Sequence, residues 1–70
     1  MNHYFVGRCG GGTKLYRVVR YTSKNAVVQS FTKSKAVWSK EQYWKVATLP
    51  NWVVEPLDHP EAKRRYPRAF

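Results

Sequence analysis

The sequence predicts a small, mainly β domain, a small barrel or a twisted antiparallel sheet with one short helix. Three observations carry that expectation. Leu15 to Phe31 reads as two strands rich in Val, Tyr and Phe around a Ser23-Lys24-Asn25 loop, which is a β-hairpin pattern. Three Trp, five Tyr and three Phe stand in only 70 residues. A chain this short buries only about 60% of its unfolded surface, and each aromatic ring covers roughly 150–250 Å², so a core of few, large side chains is the natural solution. The candidate elements then run in the order β-ββ-(β)-α-β.

Taken in order, His3 to Arg8 (HYFVGR) forms a first strand, with Tyr4 and Val6 on one face and Phe5 on the other. Cys9 to Thr13 (CGGGT) ends it in a turn or loop, because three glycines cost too much backbone entropy inside an element. In the hairpin, Asn25 suits the last loop position because Asn tolerates φ > 0. With Thr22 opposite Ala26, one face carries Leu15, Arg17, Val19, Tyr21, Val27, Gln29 and Phe31, the expected core face. Tyr16, Val18, Arg20, Thr22, Ala26, Val28 and Ser30 form a second, half-polar face, either covered or available for binding.

Thr32 to Lys35 is a polar connector, and Ala36 to Ser39 a short strand. Ser39 and Gln42 have capping-box spacing, which predicts a short helix from Lys40 to about Ala47 with Tyr43, Trp44 and Ala47 on one side. Pro50 is expected to end it. Trp52 to Glu55 is a closing strand. These elements suit an SH3-like barrel or twisted antiparallel sheet, with an α+β sheet and a helix on its back as the alternative. Residues 1–55 are expected as one domain and 56–70, with three prolines, as an extended basic C-terminal tail.

Chemistry for catalysis is not legible. Gly7 to Lys14 (GRCGGGTK) has the outer glycines of a phosphate-binding loop but places Thr13 before Lys14, and a strand pattern follows instead of a helix. Gly7-Arg8-Cys9-Gly10 has the GXXG spacing of a KH loop, again without flanking helices. His3, Cys9, Asp58 and His59 lack paired ligand spacing, so no metal is expected. Cys9 has no neighbouring base, and the four acids offer no acid/base pair, so no catalytic residue, cofactor or enzyme activity is expected. A single cysteine allows no internal disulfide. The N-terminus has no apolar leader and no stretch is long enough for a membrane span, which points to a cytoplasmic protein without a membrane partner.

Val54-Glu55, His59-Pro60, Tyr66-Pro67 and Ala69 follow a spacing that resembles the C-terminal part of plasmid-type dihydrofolate reductases, which are SH3-like barrels. The Val-Gln-Ile that shapes the active pore of that family is Lys63-Arg64-Arg65 here. The resemblance therefore implies at most the barrel fold and not the activity.

Charge is the strongest functional signal. Thirteen Lys and Arg face four Asp and Glu, a formal net charge of +9. Residues 1–54 hold nine cations and one acid, +8, while residues 55–70 hold four cations and three acids, +1. The excess lies on the folded part, and such a field attracts polyanions. Tyr16, Tyr21, Trp38, Tyr43 and Trp44 are threaded among the cations, and exposed rings of this kind stack bases. Phe31, Trp44 and Trp52 are expected in the core, whereas Tyr16 and Trp38 suit either core or contact. The expected contact set is Tyr16, Arg17, Arg20, Lys24, Lys33, Lys35, Trp38 and Lys40, with Lys63, Arg64, Arg65 and Arg68 as an auxiliary arm. Two functions follow: a nucleic-acid-binding module, or a regulator docking on an acidic protein surface of a nucleic-acid-processing complex such as a polymerase or nuclease. Nothing in the sequence sets the oligomeric state.

Overall fold

Val, Tyr and Phe gather in short runs from Tyr4 onward, often at adjacent positions, and the backbone responds with strands that are apolar on both faces. The computed structural model describes residues 3–70, so the first two positions of the expected 1–55 unit lie outside the described residues. Strand β1 spans Tyr4–Cys9, β2 Gly12–Tyr21 and β3 Asn25–Thr32. Cys9 pairs with Gly12, leaving Gly10-Gly11 as a two-residue turn. Gly10 has φ +58°, the left-handed backbone that such hairpin turns demand of their first central residue.

The second hairpin departs from the expected register. Tyr21, not Thr22, pairs with Ala26. The Thr22 hydroxyl accepts the Asn25 amide at 3.1 Å and the Thr22 amide reaches the Asn25 carbonyl at 2.8 Å. Asn25 therefore opens β3 instead of closing the loop. Val18 opposes Val28 and Arg20 opposes Val27, so Val19 is an extra, bulged residue. Beyond the bulge the faces of β2 exchange. Val19 and Tyr21, expected in the core, are 42% and 43% exposed.

Both faces of the sheet are covered. Face A buries Phe5, Tyr16, Val18, Ala26 and Val28, with Trp44, Leu49 and Val53 packed over them. Face B buries Val6, Leu15, Phe31, Leu57 and Ala62, with Trp38, Tyr66 and Ala69 against them. The half-polar second face of the hairpin is thus core. Phe5 and Tyr16 stack at 5.2 Å and 13°, directly over Gly7.

Two short strands share the outer edge of β3. β4 (Val37–Trp38) pairs with Phe31 and Thr32, and β5 (Gln42–Lys45) with Asn25 to Val28. Between them Ser39 closes the gap: its amide donates to the Ser30 carbonyl at 2.8 Å and its hydroxyl accepts the Ser30 amide at 3.0 Å. The helix expected over Lys40–Ala47 is therefore replaced by β5 and a 3₁₀ turn at Val46–Thr48. An isolated helix of that length is marginal, whereas the β3 edge offers a ladder and places Trp44 5.0 Å from the Tyr16 ring. Helix α1 (Leu49–Trp52) follows, with Pro50 in its first turn, so the proline opens a helix instead of ending one.

Strand β6 (Val53–Leu57) returns antiparallel to β1, bulged at Val54, which is 52% exposed. The result is one six-stranded antiparallel sheet, in the order β4-β3-β2-β1-β6 with β5 also on β3. No ladder joins β6 to β4 or β5 among the described residues, so of the two mainly β alternatives the sheet fits, with two short helices in place of the single one expected.

The stretch 56–70, expected as an extended tail, is folded. Asp58 caps helix α2 (His59–Arg65) by accepting the Glu61 amide at 2.9 Å, Pro60 sits in the first turn, and Lys63, Arg64 and Arg65 occupy the last. This distribution matches the helix dipole. Seven residues would not hold a helix alone; the buried Ala62 and the Tyr66 ring, 6.4 Å from Phe31, dock it on face B.

Two outcomes check this packing. A Cβ at Gly7 would meet Tyr16 and Phe5 ring carbons at 2.8–2.9 Å, so Gly7→Ala should lower the urea-unfolding free energy by about 1–3 kcal/mol. Ala62→Glu should undock α2 while the sheet persists, and trypsin should then cleave after Lys63, Arg64 or Arg65 much faster than in the parent protein.

Candidate nucleic-acid interface

Alternation along β3 sends Asn25, Val27, Gln29 and Phe31 to face B, and the ladder fixes what stands beside each. Arg20 and Tyr43 flank Val27, Arg17 flanks Gln29, and Trp38 flanks Phe31. Lys45 pairs with Asn25, two residues from Tyr43 and so on the same face. Lys24 lies in the adjoining turn, and Lys33 follows the other end of the strand. The cations Lys45, Arg20, Arg17 and Lys33 thus form a track along β3, about 27 Å long at roughly 3.4 Å per residue.

Most of the track is held by specific contacts. The Arg17 Nε donates to Gln29 Oε1 at 2.9 Å, and its guanidinium lies 4.1 Å over the Trp38 ring. Gln29 in turn donates to the Ser39 carbonyl at 2.9 Å. The Arg20 guanidinium donates to the Tyr43 hydroxyl at 3.2 Å and pairs with Glu41 at 3.2 Å. Glu41 and then Tyr43 push the Arg20 pKa up. Lys33 Nζ sits 4.8 Å from the Tyr66 ring centre, while Arg68 donates to the Lys33 carbonyl at 3.4 Å. Beside them Thr13, Lys14, Thr32, Lys33 and Ser34 line a hollow floored by Phe31 and Tyr66.

The four acids are spent locally. Asp58 caps α2, Glu41 pairs with Arg20, Glu55 with Arg65, and Glu61 with Arg64 and Arg65. Hydrogen bonds from Arg64 and then Arg65 hold the Glu61 carboxyl below its ordinary range, and Glu55 ahead of Glu61 raises Arg65. Three of thirteen cations are in these ion pairs, which leaves ten without a carboxylate partner among the described residues.

The expected contact residues divide accordingly. Arg17, Arg20, Lys24, Lys33 and Arg68 fall along the track or at its ends. Lys35 and Lys40 are exposed in the connectors beside it, and Lys63 is exposed on α2. Arg64 and Arg65 are held by carboxylates. Tyr16 is 4% exposed on face A, and Trp38 is half-buried under Arg17, its Nε1 donating to the Ala69 carbonyl at 3.4 Å. Both rings are packing residues, not free stacking surfaces. Lys45, Tyr43 and Lys14 were not in the set. Reading QYWK with a two-residue period would have separated Tyr43, 60% exposed, from the inward Trp44.

Among the described residues no cluster of three or more His, Cys, Asp or Glu side chains could hold a metal ion, and no helix is long and apolar enough to cross a membrane. No protein-family model, curated protein or solved structure matches this chain. The segment that resembles the plasmid-type reductases is helical at Lys63–Arg65.

Burial, reinforced by the Cys9 thiol, pushes the Tyr16 phenol from 10.0 up to about 12. A phenol with a raised folded-state pKa contributes stability that is fully present below pH 10 and lost as pH rises through about 12. The unfolding free energy should therefore fall more steeply over pH 10–12 in the parent than in Tyr16→Phe, measured by urea titration at stepped pH; parallel curves would refute the assignment.

Proposed function

We propose that this protein is a non-enzymatic module of the cytoplasm that binds nucleic acid through the phosphate backbone, with little preference for base sequence. The observation that carries this reading is the row of cations ordered by the β3 ladder on one sheet face, with the acids committed elsewhere except for Glu41. Cations in such a row displace the counterions condensed on a phosphate chain, so affinity is strong at low salt and collapses as salt rises. Backbone contacts position a protein without reading bases. The hydroxyls of Thr13, Thr32 and Ser34 at the Lys33 end add neutral donors suited to phosphate oxygens.

A second reading rests on Tyr43, 60% exposed and hydrogen-bonded to Arg20. Tyr and Arg are the residues that anchor protein interfaces, so the same face suits an acidic protein surface of a nucleic-acid-processing complex. Nuclease-treated pull-downs that return a stoichiometric acidic protein, with no binding to purified nucleic acid at low salt, would favour it.

Fluorescence anisotropy with a generic duplex at several salt concentrations tests the first reading. Lys33→Ala and Lys45→Ala, at opposite ends of the track, should each weaken binding and each lower the slope of log affinity against log salt by up to about 0.9. Lys63→Ala removes the same charge from α2 and should leave the slope unchanged. Equal losses in all three would mean that attraction is diffuse and that the track is not a site.

A further inference from the structure

On face A, behind the track, the aromatic side chains do not close over completely. Tyr16, Trp44 and Trp52, with Arg8, Cys9 and Thr48, line an open hollow of about 440 Å³, a size typical of small-molecule sites. Its walls are rings. Trp44 lies 5.0 Å from Tyr16 and 6.4 Å from Trp52. Trp52 closes α1 and, contrary to the expected core placement, is 48% exposed.

We propose that this hollow receives one unpaired nucleobase, making the protein selective for single-stranded over double-stranded nucleic acid. The inference rests on the phosphate-binding reading of the track. Three observations argue for that occupant. The indoles of Trp44 and Trp52 are inclined at 59°, so a flat ring cannot lie against both; it stacks on the exposed Trp52 while Trp44 and Tyr16 bound its edge. No acid lines the hollow and Arg8 does, with no carboxylate partner among the described residues, so a nucleotide suits it better than a cationic ligand.

The third observation is the path. Thr48, on the rim, donates its hydroxyl to the carbonyl of Lys45 at 3.1 Å, and Lys45 is the end of the track. A strand leaving the Lys24–Lys45 end would round β5 onto face A, where Trp44 of β5 stands 6.4 Å from Trp52. A duplex keeps its bases stacked inward and cannot supply one without unpairing. The hollow also offers few groups for reading a base edge. The Tyr16 hydroxyl donates to the Arg8 carbonyl at 3.4 Å and the Trp44 Nε1 to Gln42 Oε1 at 3.2 Å. Stacking on the rings is therefore the main contact with the base, with Arg8 beside it.

The test compares a short single-stranded oligonucleotide, its abasic counterpart with the same phosphates, and a duplex of equal length, read by anisotropy and by tryptophan fluorescence. The single strand should bind about five- to 150-fold more tightly than the abasic strand, bind more tightly than the duplex, and quench fluorescence. Trp52→Ala should reduce it to the abasic level, and Trp52→Phe should restore most of the difference. Trp52 is exposed enough that circular dichroism should report an unchanged fold. If all three ligands bind equally and Trp52→Ala changes nothing, while Lys33→Ala still weakens them, the base site is overturned and the track stands. If single-strand binding depends on Trp52 but not on Lys33 or Lys45, the track is overturned and the base site stands. No binding by any ligand at low salt overturns both.

Discussion

Every contact on the candidate interface takes its position from one strand. Asn25–Thr32 is paired along one edge by β2, over Ala26 to Ser30, and along the other by β5 and β4 in succession, and Val27 and Val28, on its two faces, are fully buried. A strand so completely used has no freedom to slip, because a one-residue shift would move every side chain to the wrong face. Its ladder sets Arg20, Arg17 and Lys45 in a fixed order and spacing. Cations on loops would lose that order to side-chain and backbone entropy; cations beside a buried strand keep it.

The bulge at Val19 is the device that brings Arg20 into line. Without the extra residue, Arg20 would share the face of Val18 and Tyr16, where an unpaired guanidinium would have to be buried at high cost. The bulge turns it toward Val27, Tyr43 and Glu41 instead, and leaves two apolar side chains, Val19 and Tyr21, in solvent. Exposed valine and tyrosine are a small penalty beside a desolvated charge. Bulges recur near functional surfaces because they re-aim a side chain in this way.

The aromatic residues divide between two tasks. Phe5, Tyr16 and Phe31 fill the faces of the sheet, and Gly7 leaves the room that the Phe5–Tyr16 stack requires. Trp44 and Trp52 cover face A only in part, and Tyr43, on face B, is 60% exposed. In a chain of this size the sheet needs a lid on each face, and α1 and α2 are as short as lids can be. The incompletely covered margins are where a small domain has surface left for a ligand.

By itself the sequence determined the class of fold, the three-strand start and the sign of the surface. Runs of Val, Tyr and Phe, the glycine turn and an excess of cations act locally and show in the letters. The C-terminal helix was also written there, in Asp58, Pro60, Glu61 and the basic last turn, but the density of prolines obscured it. Tertiary structure decided what depends on distant partners. Whether QYWK coils or extends turned on the free edge of β3, and whether Tyr16 faces ligand or core turned on Phe5 and Trp44 meeting it. Which cations stay unpaired turned on where four carboxylates came to rest. Local propensity cannot settle these questions, because their energies come from pairing and burial between segments far apart in the chain.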